Sequence, residues 1–139
     1  MKDDAYFSEE PMMRVLLVDD SKFVVKSLQT ILEQLGFEVV GMASDGHEAL
    51  AQFQEHHPDV TLLDVTMPNM DGVECLSRIK ELDADAPVVM LSAIQDPDTI
   101  DKCLQLGAAS FLKKPIKKTS PADLSRLSCT LEEAAAKVV

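Results

Sequence analysis

The 139-residue sequence is poor in the features that would tie it to a membrane, a metal cage or a nucleic acid. Its three cysteines, Cys75, Cys103 and Cys129, are odd in number, far apart and without CxxC spacing. That excludes a disulfide framework and a cysteine zinc site, and fits free thiols in a reducing compartment. No apolar run approaches the roughly 20 residues needed to span a bilayer. The opening MKDDAYFSEE is acidic and polar, unlike the basic start of a secretory leader, so a cytoplasmic location is expected. Basic charge is also scarce, with 13 Lys and Arg against 24 Asp and Glu and a net charge of −11. Such a chain is repelled by nucleic acid and by anionic membrane, and direct binding to either is not expected. There is no internal repeat and no low-complexity tract.

What is present is core material, 46% hydrophobic residues, enough for one well-formed domain. Short apolar runs alternate with amphipathic segments, the pattern of βαβ units in a parallel sheet. Strands are expected at residues 14–18 (RVLLV), 37–42 (FEVVGM), 59–63, 87–91 (PVVML) and 109–112. The first helix carries Val24, Leu28, Ile31 and Leu35 on one face and stops at Gly36; the second opens at Asp45-Gly46 and holds Ala49, Leu50 and Phe53. The third, residues 73–82, turns Val73, Leu76 and Ile79 inward. The fourth follows an Asp96-Pro97 cap, carries Ile100, Cys103 and Leu104, and ends at Gly107. Ser120-Pro121-Ala122-Asp123 caps the last, with Leu124, Leu127 and Leu131 at helical spacing. Five such units predict an α/β fold, a doubly wound open sheet with helices on both faces. Ligands bind such sheets beyond the carboxyl ends of the strands.

The polar residues at those ends are Asp19 and Asp20, Asp64, Ser92 and Lys114. Asp64 is the odd one, because an apolar run drives straight into its carboxylate in LLDVTMPNMDG (residues 62–72). A charge there is costly unless it is paired, hydrated or metal-bound. Three carboxylates brought together repel unless a cation sits among them, and an oxygen-lined anionic pocket suits Mg²⁺. Carboxylate, Mg²⁺, lysine and hydroxyl together are the parts for transferring a phosphoryl group, with Asp64 as nucleophile.

In VDDS (residues 18–21), LLDVTMPNMDG, LSA (91–93) and FLKKP (111–115), the chain resembles the receiver domain of two-component response regulators, over about residues 13–131. The resemblance implies a flavodoxin-like sheet of order 2-1-3-4-5. It makes Asp64 the phosphoacceptor, and has Asp19 and Asp20 organise Mg²⁺ with Asp64 and the Thr66 backbone carbonyl. Lys114, the lysine abutting Pro115 across an implied cis bond, and Ser92 would contact the phosphoryl group. Ser92 and Phe111 would form the switch. Phe111 lacks the hydroxyl of the commoner tyrosine, so the switch rests on packing. Thr66 and Ile94, each two positions beyond a site residue, would tune dephosphorylation. The implied donor is a phosphohistidine on a sensor histidine kinase or histidine phosphotransfer protein, docking over the rim and first helix, where Phe23 lies off the apolar stripe. The implied output surface is helix 4, strand 5 and helix 5, facing a downstream domain or protein, with dimerisation on phosphorylation left open.

Within this frame residues 1–12 are expected to be a flexible extension, 13–132 the receiver, and 133–139 the helix end or a linker to an output domain. The chain would be a signalling phosphoacceptor that assists its own phosphorylation and dephosphorylation, not a turnover enzyme. Two alternatives stand beside it. One is a phosphorylation-independent, receiver-like interaction module, against which the full acidic set argues. The other is an aspartyl-nucleophile phosphohydrolase, which resembles DxDx[TV]; here Val65-Thr66 follow Asp64 and the second acid is missing. His47, His56 and His57 lack ligand spacing and read as surface residues. Cys75 and Cys103 read as small core residues, and Met12, Met13, Met67 and Met70 as gap fillers.

Overall fold

The computed structural model describes residues 12–136. Strands β1 (Arg14–Val18), β2 (Glu38–Ala43), β3 (Val60–Asp64), β4 (Val88–Ser92) and β5 (Ser110–Lys113) alternate with helices α1 (Lys22–Gln34), α2 (Gly46–His56), α3 (Gly72–Leu82), α4 (Pro97–Gln105) and α5 (Pro121–Ala136). All neighbouring strands are parallel, in the order β2-β1-β3-β4-β5. The chain runs outward from β1 to β2 and then returns across β1 to β3. That reversal opens a crevice over the carboxyl ends of β1 and β3.

Strand alternation sorts the core into two layers. Val15 and Leu17 of β1, with Val60 and Leu62 of β3, face Leu28 and Ile31 of α1 and Leu127 and Leu131 of α5. Leu16, Val18 and Leu63 face the other way, onto Ala49 and Phe53 of α2 and Cys75, Leu76 and Ile79 of α3. The central strands β3 and β4 are buried from end to end, as a parallel sheet covered on both faces requires. Among the described residues no helix is long and apolar enough to cross a membrane.

Several expectations shift. Strands β2 to β5 each lie one residue further along than the apolar runs suggest, so Asp64 and Ser92 are the last strand residues rather than the first loop residues. The ladder runs on beneath them: Asp64 pairs with Leu91 and Ser92 with Lys113, and the Val65 N–H donates to Leu91 O at 3.1 Å. Backbone pairing is indifferent to side-chain polarity, and a polar residue does not end a strand by itself. On α4, Leu104 is 46% exposed and only Cys103 is buried, so the fourth helix presents a narrower apolar face than its sequence suggests. Val73 is partly buried, and Cys75 takes the inward position beside Leu76. α5 continues as helix through Ala136. The reading of residues 1–12 as a flexible extension falls outside the described residues save for Met12, and that of residues 137–139 falls outside them altogether.

The turn after β3 is set by two residues. Asn69 takes a left-handed conformation (φ 69°). Gly72 lets α3 start directly against the end of β3, its N–H donating to Val65 O at 2.7 Å. A Cβ on Gly72 would lie on the Asp64 carbonyl oxygen and 2.7 Å from Val65 Cα, both backbone atoms that cannot yield cheaply. Gly36, by contrast, has a left-handed φ of 94° but open space around it. We expect Gly72→Ala to cost about 3 kcal/mol through overpacking and Gly36→Ala about 1 kcal/mol through backbone strain, measured by urea denaturation. Equal costs would show that the close approach at β3 is not what Gly72 serves.

Candidate functional site

The site is assembled from four strand ends. β1 delivers Asp19 and Asp20. Asp19 is 2% exposed and fixed twice: its N–H donates to Ala43 O at 3.0 Å, and its Oδ1 accepts from the Ser21 N–H at 2.9 Å. Ser21 is also the N-cap of α1, its Oγ accepting from the Val24 N–H at 3.2 Å. One small residue thus starts the helix and orients the carboxylate before it. The sequence reading missed this role, although a serine directly ahead of an amphipathic run is the ordinary sign of a cap. Asp20 is exposed at the rim.

β3 delivers Asp64, 4% exposed, and β5 leads to Lys114, whose peptide bond to Pro115 is cis. The Lys114 ammonium lies 2.6 Å from Asp19 Oδ2, an ion pair without directed hydrogen-bond geometry. It also donates to Asp64 Oδ1 at 3.1 Å. Carboxylate oxygens of Asp19, Asp20 and Asp64 lie within 4.8 Å of one another. Three oxygen donors converging at an open rim, one of them exposed and two partly neutralised by a single lysine, fit a hard cation such as Mg²⁺ that keeps several waters.

The electrostatics show what remains unbalanced. Burial first, and then the Asp19 charge, push Asp64 above the ordinary carboxylate range; Lys114 and the Thr66 backbone hydrogen bond pull it back only in part. For Lys114, burial alone would lower the pKa, but contact with Asp19 and the charge of Asp64 carry it above the usual lysine value. The buried anions therefore retain an excess of negative charge after their lysine is counted.

The other predicted residues sit around this centre. Ser92, 5% exposed, ends β4, but its hydroxyl is engaged locally, donating to Ile94 O at 2.9 Å and accepting from the Ile94 N–H at 3.0 Å. Thr66 is exposed and Ile94 is 70% exposed. Phe111 is half-buried against the layer beneath α2 and α3. Phe23 is 82% exposed on α1, beside a 190 Å³ groove lined by Val24, Leu91, Lys114, Pro115 and Ile116. His47 and His57 are exposed and His56 is half-buried. Cys75 and Cys103 are buried, and burial, with nearby acids, pushes the Cys75 thiol up to about 12. Met67 and Met70 are buried as fillers, while Met12 is exposed.

Residues 15–123 match the model of the response regulator receiver domain family. This chain belongs to that family. It is 40% identical over 104 residues to the chemotaxis protein CheY of Bacillus subtilis, spanning 75% of this chain and 87% of the relative. Among solved structures it is similar to a chain of the CheX-CheY-BeF3-Mg²⁺ complex from Borrelia burgdorferi, with 39% identity, a TM-score of 0.76, and coverage of 84% of this chain and 89% of the other. It is also similar to the response regulator domain of Thermotoga maritima CheB, with 32% identity, a TM-score of 0.80, and coverage of 91% and 98%. The fold is that of receivers, and the acidic cluster lies at the carboxyl end of its sheet.

The receiver's raised Asp64 has a consequence for stability. A carboxylate with a raised folded-state pKa contributes stability that is fully present below its unfolded pKa and lost as pH rises through the folded value. In metal-free protein, Asp64→Asn is therefore expected to unfold at higher urea than the parent near neutral pH, with the difference closing as pH falls toward 4, the ordinary carboxylate range. Added Mg²⁺ should stabilise the parent near neutral pH, less at low pH and less in Asp64→Asn, because metal binding needs ionised carboxylates. Parallel pH series of urea midpoints, with chelator and with Mg²⁺, check both signs.

Proposed function

We propose that this receiver takes a phosphoryl group from a phosphohistidine donor onto Asp64 and changes its output surface in response. The observation that carries the reading is the placement of Asp64, buried at a strand end in contact with Lys114 and with its carboxylate within 4.8 Å of those of Asp19 and Asp20. An Asp64 oxygen attacks phosphorus; a P–O bond forms as the P–N bond to imidazole breaks, and the leaving nitrogen keeps the electron pair and takes up a proton. Asp19, Asp20 and Asp64, with the Thr66 backbone carbonyl, would hold Mg²⁺, whose charge when bound offsets that of the phosphoryl oxygens. Lys114 supplies a fixed positive charge on the same side, and the Ser92 hydroxyl supplies a donor once it turns inward. Hydrolysis returns the carboxylate: water attacks phosphorus and the P–O bond to Asp64 breaks. The chain thereby assists its own phosphorylation and dephosphorylation without turning over a substrate pool.

The donor in this reading is a sensor histidine kinase or a histidine phosphotransfer protein, docking over the rim where Phe23 is exposed. The reader is an output domain or protein on α4, β5 and α5, where Leu104 and Phe111 lie, with a second copy on phosphorylation as another occupant. Ser92 and Phe111 form the switch, Thr66 and Ile94 tune the lifetime, and the cytoplasm is where such donors present phosphohistidine. A receiver-like module that takes no phosphate would have no use for three converging carboxylates that raise one another's cost. A phosphohydrolase would need a second acid where Val65-Thr66 stand.

Acetyl phosphate with Mg²⁺ is expected to add one phosphoryl group by intact mass, with none added to Asp64→Asn and addition slowed about 100-fold in Lys114→Ala. No addition favours the interaction module, and steady hydrolysis of diverse phosphate esters favours the hydrolase. In this reading the apolar Ile94 screens the acyl phosphate from water, so Ile94→Asn should lose phosphate several-fold faster. An unchanged or slower decay, tracked by intact mass over time, would remove Ile94 from that role.

A further inference from the structure

We infer that Met70 is a positioning residue for the metal end of this site: lodged against Gly46 at the start of α2, it fixes the loop whose Thr66 peptide lies beside Asp64. The inference rests on the reading in which the three carboxylates and the Thr66 carbonyl hold Mg²⁺. The loop between β3 and α3 leaves the sheet directly after Asp64 and carries Thr66 on its way to Met70. Its two ends are tied to each other, the Gly72 N–H donating to Val65 O at 2.7 Å. Between those ends the Met70 N–H donates to Pro68 O at 2.8 Å, a turn made within the loop itself, and Thr66, Pro68 and Asn69 are exposed. These bonds close the loop on itself without fixing it to the layer beneath. Side chains do that: Met67 and Met70, 7% and 3% exposed, are buried in the core layer of α2 and α3.

At Met70 the space comes from a missing side chain. A Cβ on Gly46 would lie 2.6 Å from Met70 Cβ and 2.7 Å from its Cγ and Sδ. Gly46 is the first residue of α2 and its φ is not positive, so its backbone conformation does not call for glycine. The close approach of Met70 does. Cys75 of α3 places its Sγ 3.9 Å from Gly46 O, so the starts of α2 and α3 meet at the same point. Met67 anchors the near side of the loop, and Met70 anchors its far side against a backbone that does not yield. Four residues before Met70, the Thr66 peptide hydrogen-bonds the Asp64 carboxylate, and its carbonyl is one of the proposed ligands. Mg²⁺ demands near-ideal geometry from its oxygens, so a loop freed at Met70 presents that carbonyl less well.

The test is Mg²⁺ affinity of the full chain by titration calorimetry, with urea midpoints measured in chelator beside it. Met70→Ala is expected to bind Mg²⁺ about 10-fold more weakly, and Met70→Leu, which refills the space, to recover most of the loss. Gly46→Ala leaves the loop's own sequence intact and suits a helical backbone, yet should weaken Mg²⁺ in the same direction by pushing Met70 aside. It carries the test alone should Met70→Ala fail to fold. Phe53→Leu, in the same core layer but on α2 away from the loop, should lower the urea midpoint without changing the affinity. Parent-like affinity in folded Met70→Ala or in Gly46→Ala overturns the positioning role alone, as does an equal loss in Phe53→Leu. No Mg²⁺ binding by the parent overturns the metal reading, and this inference with it.

Discussion

One ammonium group between two buried carboxylates is the constraint on which the rim depends. Asp19 and Asp64 are almost without solvent, and an unpaired buried carboxylate costs several kcal/mol. Lys114 meets both, at 2.6 and 3.1 Å, from a strand end 50 residues beyond Asp64. Yet one positive charge cannot satisfy two carboxylates with a third, Asp20, beside them, and Asp64 stays above the ordinary carboxylate range. The deficit has a direction. The folded domain keeps a site that is worse off alone than with a cation or a modifying group, and such unbalanced sites are where function concentrates.

Holding that arrangement requires the fold to be rigid where the charges are. β1 and β3 are adjacent because the chain doubles back at β2, and this brings Asp19 beside Asp64 without any long loop. Lys114 arrives because β5 pairs with β4 in a register that leaves Lys113 opposite Ser92. Gly72 then lets α3 begin against the backbone of Asp64 and Val65, so the end of that strand is backed by helix. The proline and glycine of LLDVTMPNMDG belong to the same problem as its aspartate.

Much of this was legible in the sequence because both signals are one-dimensional. Apolar periodicity located every strand to within a residue and the start of every helix, and the polar residues breaking those runs fell on one rim because parallel strands all end on the same side. What was not legible depends on three-dimensional partners. The sequence does not say that Ser21 spends its backbone N–H on Asp19, that the Ser92 hydroxyl turns to Ile94 instead of Asp64, or that Leu104 faces outward. Strand ends were misplaced by one residue for a related reason. Whether Asp64 and Ser92 belong to strands is decided by the backbone of the neighbouring strand, which their own side chains do not announce.

That last residue matters to how the site works. A group on the terminal residue of a paired strand has its backbone held by a neighbouring strand while its side chain reaches past the ladder, so position is set and chemistry is free. Asp64 and Ser92 are of this kind, and Lys114 is tied to the same ladder through Ser92 O. Asp20, Thr66 and Ile94 lie in the loops beyond, and all three are exposed. The groups proposed to meet phosphorus are thus those whose backbone is tied to the sheet. Thr66 and Ile94, the proposed tuners of lifetime, lie outside the ladder. The two sets meet at β4, where Ser92 is the last residue in the ladder and Ala93 the first outside it, so a single step along the chain leads from the strand that fixes the site to the exposed loop beside it.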